Sequence, residues 1–270
     1  KYRLPPSKVL ELGCSHGSFI ALMRQTGYDA AGLEMSPWVV EFGQKTFGAP
    51  ISVGPVESLN ITPGSLDVVA LMDVLEHLPD PVKTMGHCLT LLRPDGLLLV
   101  QTPQFKDGMN FEDLLDKKSS FLDQLKADEH LYLFSDRSVT RLFQQLGAKH
   151  IQFEPAIFSH YDMFFAVSRE PLQINSPKRI EAELLDTPNG RLSLALLDLR
   201  ERELDLTRRL QAAEAEMGAQ WAQIETFTVL LKESEQDRKL RAEQIESLGR
   251  MLEESEAFRQ ARAKQIDTLS

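Results

Sequence analysis

The chain has 270 residues, of which 42% are hydrophobic and 26% charged, and its formal net charge is −10. The hydrophobic fraction excludes a wholly disordered chain, and no apolar run approaches the roughly 20 residues of a membrane-spanning helix. The negative charge disfavours nucleic acid as a partner. Two cysteines are too few to stabilise a fold of this size through disulfide bonds, which favours a reducing, cytoplasmic setting. The chain starts on a lysine, and its last helical pattern is still running at the end, so we expect further domains in a longer parent chain.

Residues 1–170 alternate between short apolar runs and amphipathic helical stretches. The runs are Val9–Leu12, Ala30–Glu34, Ile51–Val53, Leu66–Met72, Leu97–Thr102, His150–Phe153 and Met163–Val167. Continuous apolar runs suit strands buried on both faces, as in a parallel sheet. The last two runs leave no room for a helix between them, which predicts an antiparallel pair. We therefore predict an α/β fold with a mostly parallel seven-stranded sheet and an antiparallel last strand.

The rest of the chain predicts a linker and a long helix. Residues 171–191 contain three prolines and read as a linker, whereas residues 192–270 contain none. A repeat of 21 residues aligns apolar positions there: Leu210, Leu231 and Leu252, and likewise Ile224, Ile245 and Ile266. Twenty-one residues make three heptads, which predicts a left-handed coiled coil that self-associates. The alternative is a single amphipathic helix that lies on other domains.

The stretch Val9–Phe19 carries the strongest functional pattern. A strand ends at Leu12, a turn with Gly13 and Gly17 follows, and a helix opens near Ser18. Glycines allow positive φ and close approach of a ligand, and the helix start presents free N–H groups. Glu34 ends the next strand, where a carboxylate can accept hydrogen bonds from both hydroxyls of a ribose. These residues predict a site for an adenosine-type cofactor.

The loop spacing selects among such cofactors. A dinucleotide fingerprint needs glycine at the first, third and sixth loop positions, which here hold Gly13, Ser15 and Ser18, so a nicotinamide-dependent dehydrogenase is disfavoured. Glu11, Gly13 and Gly17 instead resemble the first motif of class I S-adenosylmethionine-dependent methyltransferases. The resemblance covers about residues 8–168 and continues through Glu34, Gly54–Glu57, Met72–Pro81 and Leu92–Gly96. It implies a Rossmann-like fold, S-adenosylmethionine as methyl donor and S-adenosylhomocysteine as product.

The resemblance also assigns cofactor-binding residues, which are Glu11, Gly13, Cys14, His16, Gly17, Glu34, Met35, Val56, Glu57, Asp73 and Val74. The loop from Gly13 to His16 is expected beside the methionine portion, with Glu11 and Gly17 shaping the turn. Glu34 is expected on the ribose and Met35 beside the adenine. Val56 and Glu57 are expected at the adenine edge. Asp73 and Val74 are expected beside the transferred methyl group.

Histidines are the candidates for catalysis, because an acceptor hydroxyl benefits from a base near its proton. His77 follows the fourth strand and is the first candidate; His130 and Tyr132 are the others. Capping or loop packing is the alternative role for each histidine. Histidines and cysteines do not cluster at ligand spacing in the sequence, so no metal is predicted.

The expected acceptor is a small molecule or a glycan. Residues 103–129 are too long for a plain connection and read as a lid or acceptor-binding insertion, or alternatively as a helix packed on the core. The glycan, and with it a role in polysaccharide biosynthesis, comes from a looser resemblance to bacterial polysaccharide-assembly proteins that join such a domain to a long coiled coil. The alternative function is a catalytically weak or inactive scaffold that mainly oligomerises.

Overall fold

The computed structural model describes residues 1–156 and 161–269; within the last helix, the side chains at positions 263 and 265–269, including Ile266, lie outside the description. The strands are β1 (Lys8–Leu12), β2 (Asp29–Glu34), β3 (Ile51–Val53), β4 (Leu66–Met72), β5 (Leu92–Pro103), β6 (His150–Glu154) and β7 (Asp162–Ser168). The helices are α1 (Ser18–Gln25), α2 (Pro37–Phe47), α3 (Pro81–Leu91), α4 (Phe111–Asp116), α5 (Asp136–Gln145), α6 (Pro177–Leu185) and α7 (Pro188–Leu269). Short 3₁₀ turns cover Val56–Ser58, Leu75–His77 and Ser120–Gln124.

The seven strands form one sheet in the order β3-β2-β1-β4-β5-β7-β6. The pairs β1–β2, β2–β3, β1–β4 and β4–β5 are parallel, whereas β7 runs antiparallel to both β5 and β6. This confirms the predicted Rossmann-like α/β fold. The strand order reverses direction at β1, and in such sheets ligands bind outside the carboxyl ends of the strands at that reversal.

Apolar side chains fill both faces of the sheet. Val9 and Val68 belong to one core cluster, and Leu10 and Val69 to the other. Neighbouring residues of a strand point to opposite faces, so a continuous apolar run serves two cores at once. The apolar runs of β1 and β4 therefore contribute side chains to both cores.

Helix ends follow the local chemistry of the sequence. The Asp80 side chain accepts a hydrogen bond from the Lys83 amide at 3.0 Å and caps α3. The Ser135 side chain caps α5 by accepting from the Ser138 amide at 3.2 Å. Ser36 precedes α2 without a side-chain capping bond, and there Pro37 at the first helical position sets the start.

The C-terminal part of the chain is helical. Helix α6 lies inside the segment predicted as a linker, and its N-cap Ser176 accepts from the Arg179 amide. The chain divides into two units, Lys1–Leu197 and Asp198–Ser270. Within the second unit, Leu210, Leu231 and Leu252 are exposed (60%, 66% and 62%), as are the other described side chains of that unit. No helix in the described part of the chain is both long enough and apolar enough to cross a membrane.

Candidate active site

The turn after β1 holds the backbone in a conformation that favours glycine. Gly13 and Gly17 have φ of +66° and +77°, and Ser15 between them has +47°. The turn is closed by hydrogen bonds from the Cys14 amide to the Leu33 carbonyl and from the Gly17 amide to the Cys14 carbonyl, both 2.9 Å. A Cβ on Gly13 would lie 2.5 Å from Cγ2 of Val74. The turn therefore lies directly against the residue that follows β4, with no space for a side chain.

The Glu34 carboxylate joins the end of β2 to this turn. One oxygen accepts from the Ser15 amide at 3.1 Å, and the other accepts from the amides of Met35 and Ser36 at 2.8 and 3.0 Å. A carboxylate offers about four acceptor positions, so Glu34 has capacity for a further donor. The half-buried carboxylate is thus fixed at the mouth of the turn.

A cavity of about 630 Å³ opens at these strand ends. Its lining includes seven of the residues selected from the sequence, which are Gly13, Glu34, Met35, Val56, Glu57, Val74 and His77. Most of its other walls are apolar, as with Leu12, Leu71 and Leu78. Its volume falls in the range of about 300–1,000 Å³ typical of small-molecule sites. Together the bare glycine, the fixed carboxylate and this cavity fit a bound nucleoside.

Two side chains of the predicted loop point elsewhere. The Cys14 thiol lies in the core, where a Cβ on Gly32 would come within 2.4 Å of its sulfur, and burial raises the thiol pKa to about 12. The His16 ring lies beside the rings of Phe42 and Phe47, with centroids 6.3 and 5.5 Å away. Neither residue is part of the cavity lining.

Glu11 lies in the middle of the sheet with its carboxyl buried. It is 5% exposed, and within the described residues its Oε2 has no hydrogen-bond partner. Burial without a compensating bond disfavours the charged form, which raises the pKa of Glu11 to about 7. The side chain lies outside the cavity lining, consistent with the expected role of supporting the turn.

Glu11→Gln is expected to remove a pH dependence of stability. The folded-state pKa of about 7 exceeds the ordinary 4.5, so the folded state binds the proton more tightly and the free energy of unfolding falls as pH rises through that interval. As pH rises from 4 to 8, the free energy of unfolding of the wild type should fall by about 3 kcal/mol more than that of the variant. Urea unfolding across that range measures it, with the exposed Glu112→Gln as control. Parallel pH profiles for wild type and Glu11→Gln would contradict the assignment.

The segment after β4 carries a second group of polar residues. Asp73 has φ of +55°, a conformation that Asp tolerates better than most residues, and its carboxylate accepts from the Gln101 side chain at 3.3 Å. Glu76 lies in the following turn, and its side chain is buried, with 1% exposed. Thr102 donates to its Oε2 at 2.9 Å, while Oε1 has no partner among the described residues. Burial raises the pKa of Glu76 above its ordinary value.

The structure brings His77 and His130 together although 53 positions separate them. Their ring centroids are 4.8 Å apart. Nδ1 of His77 is 2.7 Å from the Glu129 carbonyl, and Nδ1 of His130 is 2.8 Å from the Gln124 carbonyl. A carbonyl can only accept, so Nδ1 is the donor in each of these bonds and Nε2 is the remaining nitrogen of each ring.

Two further observations complete this region. The Tyr132 hydroxyl donates to the Pro79 carbonyl at 3.2 Å, so its phenol proton is already engaged. The backbone amide of Leu131 donates to the Glu76 carbonyl at 2.9 Å and holds His130 beside the end of β4. Sequence reasoning missed Glu76, whose position beside His77 in the run Met72–Pro81 was the available indication.

The segment from residue 103 to residue 129 forms α4 and a 3₁₀ turn. Leu114 and Phe121 are buried and anchor it, whereas Phe111 and Leu115 are 60% and 48% exposed. The Phe121 ring contacts Phe105 and Tyr161. The segment thus combines an anchored inner side with an exposed apolar side, and its role over the acceptor stays a prediction.

Comparison with known proteins identifies the class. Residues 1–152, more than half of the chain, match the family described as a methyltransferase domain. The chain belongs to this family, with S-adenosylmethionine as the methyl donor.

Individual relatives share only part of their length with this chain. The ubiquinone biosynthesis O-methyltransferase of Xanthomonas campestris pv. campestris is 32% identical over 105 residues, covering 37% of this chain and 44% of the relative. That of Haemophilus ducreyi is 33% identical over 105 residues, covering 35% and 44%. The chain thus spans less than half the length of these curated relatives. Among solved structures, a chain of the complex between the Haloferax volcanii Trm112 methyltransferase activator and a putative methyltransferase gives a TM-score of 0.49 at 17% identity, covering 63% of this chain and 86% of the other.

Proposed function

We propose that the domain transfers a methyl group from S-adenosylmethionine to a hydroxyl of a small-molecule or glycan acceptor. The observation that carries the proposal is that Gly13, Glu34 and His77 line one cavity. The cavity therefore combines a surface that suits a nucleoside, at Gly13 and Glu34, with a side chain that can accept a proton, at His77. The name shared by the relatives above, an O-methyltransferase of ubiquinone biosynthesis, supports an oxygen acceptor on a small molecule.

The cofactor would be held mainly by backbone and one carboxylate. Glu34 would accept from a ribose hydroxyl at its remaining acceptor position, and the amides of the Gly13–Gly17 turn would face the amino-acid portion. Val56 and Glu57 would border the adenine; Glu57 is positioned by a bond of 2.7 Å from the Thr84 hydroxyl. When bound, S-adenosylmethionine supplies a methyl group already activated by its sulfonium.

Orientation and exclusion of water remain for the protein to provide. The apolar walls at Val74 and Leu78 exclude water from the methyl position. We assign removal of the acceptor proton to His77 and His130. Each ring has a second nitrogen, Nε2, that can accept a proton. Tyr132, also a candidate from the sequence, would contribute by holding its loop against Pro79.

His77→Gln is expected to lower turnover by about 100-fold or more, the usual loss when proton transfer is impaired. The measurement is release of S-adenosylhomocysteine with a panel of phenols, nucleotide sugars and glycans. His150→Gln, an exposed histidine on β6, is the control. Binding of S-adenosylhomocysteine should survive in both variants. Equal turnover in the two variants would contradict the proposed role.

The second candidate function is a scaffold, which the 21-residue repeat of exposed apolar residues along α7 favours. We propose a methyltransferase domain over residues 1–170, a linker over 171–191 and a coiled coil over 192–270. The coil would pair with further copies and space the domain within a longer protein. Ser234, Arg238 and Arg241 interrupt the seam, and such polar layers set register and partner number at a cost in stability.

A peptide of residues 192–270 is expected to self-associate, because burial of its exposed leucines requires a second helix. Sedimentation equilibrium measures the mass, and Leu231→Lys should shift the peptide toward monomer, whereas the off-seam Glu233→Lys should not. A monomer at millimolar concentration would contradict the coiled coil. Self-association together with no turnover on any acceptor would favour the scaffold.

A further inference from the structure

Three side chains able to ligate a metal ion converge beside the end of β4. A carboxylate oxygen of Glu76 and one ring nitrogen each of His77 and His130 all lie within 4.8 Å of one another. Glu76 and His77 come from the turn after β4, and His130 comes from the end of the long segment that follows β5. We call these three residues the Glu76 cluster.

Both histidines are arranged as metal-binding histidines usually are. Such residues donate one ring N–H to a carbonyl or carboxylate, which orients the ring and leaves the other nitrogen for the metal. Nδ1 of His77 faces the Glu129 carbonyl at 2.7 Å, and Nδ1 of His130 faces the Gln124 carbonyl at 2.8 Å. Nε2 is therefore the ligating atom left on each ring.

Glu76 supplies the independent indication of a ligand. Its side chain is 1% exposed, yet within the described residues Oε1 has no hydrogen-bond partner. The charged groups acting on this carboxyl are Asp73 and His77, and those acting on Asp73 are His77 and His130. A buried carboxylate oxygen without a partner is costly, and a bound cation would satisfy it.

We propose that the Glu76 cluster binds a divalent first-row transition ion, with Glu76, His77 and His130 as protein ligands. Two imidazole nitrogens favour Mn²⁺, Fe²⁺, Co²⁺ or Zn²⁺ over Mg²⁺ and Ca²⁺, which prefer oxygen ligands alone. Ligands on one such ion lie roughly 3–4 Å apart. The exposed His77 and half-buried His130 rings have room to approach Glu76 on binding. Sequence spacing predicts no metal because the two histidines lie 53 positions apart.

The ion gives the proposed function, on which this inference rests, its route for proton removal. Three protein ligands leave coordination positions open for an acceptor hydroxyl. Binding to the cation lowers the pKa of that hydroxyl. Its O–H bond breaks, the electron pair stays on the oxygen bound to the cation, and the proton passes to bulk water. With the cation bound, the nitrogens of His77 and His130 that are assigned above to proton removal act as metal ligands instead, and solvent accepts the proton.

The test is Co²⁺ titration of the purified full chain, followed by visible absorption and by electron paramagnetic resonance with Mn²⁺ as the second probe. We expect one site per chain, with affinity weakened at least about tenfold in His130→Gln and in His77→Gln and unchanged in His150→Gln. A hundredfold excess of Mg²⁺ should not displace the bound Co²⁺. Absence of binding, equal affinity in all four proteins, or displacement by Mg²⁺ would overturn the proposal.

A parallel measurement separates this inference from the proposed function. Calorimetry with S-adenosylhomocysteine should give the same affinity with and without a chelator, whereas turnover should be lost with chelator and restored by Mn²⁺ or Co²⁺. Turnover that is insensitive to chelation would defeat the cation and leave the methyltransferase function standing. Failure of S-adenosylhomocysteine to bind at all would defeat the proposed function, while Co²⁺ absorption would still report on the metal site.

Discussion

Gly13→Ala is expected to weaken S-adenosylhomocysteine binding by about 100-fold or more, that is by roughly 3 kcal/mol. The added Cβ would lie 2.5 Å from Cγ2 of Val74, so either the turn or the Val74 side chain must shift. Both border the cavity, and a shift of either disrupts the surface against which the ligand lies. The φ of +66° adds a cost of about 1–2 kcal/mol for any L residue. Isothermal titration calorimetry measures the loss.

Gly48→Ala is the matched control for this substitution. Gly48 ends α2 with φ of +61°, and a Cβ there would meet no atom within 4 Å. The two variants share the same backbone strain, so their difference isolates the close approach of the turn to Val74. Unchanged affinity in Gly13→Ala, or equal losses in the two variants, would show that the turn does not contact the ligand.

Glu34→Ala is expected to reduce S-adenosylhomocysteine affinity by about 100-fold or more. Hydrogen bonds to a charged acceptor contribute about 1.5–3 kcal/mol each, and the ribose would donate to this carboxylate. The substitution also frees the Ser15 amide, which Glu34 binds at 3.1 Å, and so loosens the turn. Glu34→Gln should lose less, because its amide keeps one acceptor oxygen. Calorimetry with both variants separates the two contributions.

Glu41→Ala is the control for charge and for helix α2. Glu41 is exposed and forms an ion pair with Lys45 on the same helix, away from the cavity lining. Its removal changes the net charge by the same amount as Glu34→Ala and should leave affinity within about twofold, since exposed pairs contribute little. A loss in Glu41→Ala similar to that in Glu34→Ala would point to general electrostatics and remove Glu34 from the site.

The fold follows closely from local patterns in the sequence. The apolar runs of β1, β4 and β5 are buried on both faces, and the short connection before β7 forces the antiparallel final strand. Val56 and His77 share a cavity with Gly13 because the carboxyl ends of parallel strands meet at one edge. These features depend on the period and order of elements, which a single sequence displays.

Side-chain directions and long-range contacts do not follow in the same way. The Cys14 side chain turns into the core because glycine at position 32 leaves space for its sulfur. His130 reaches His77 because the backbone before Tyr132 binds the Glu76 carbonyl, a contact between segments about 55 positions apart. Nothing in the sequence distinguishes Glu76 from an ordinary exposed residue of a helical turn, and only the structure shows that it is buried. Each of these depends on tertiary packing that composition and spacing do not encode.

The central claim is that the Gly13–Gly17 turn and the Glu34 carboxylate together hold the methyl donor. A crystal structure of the full chain grown with S-adenosylhomocysteine tests it most directly. We predict the nucleoside in the cavity at the carboxyl ends of β1, β2 and β4, with a ribose hydroxyl donating to Glu34 and the amino-acid portion beside Gly13. Density for the nucleoside at another place, or in this cavity with Glu34 making no contact to the ribose, would contradict the account.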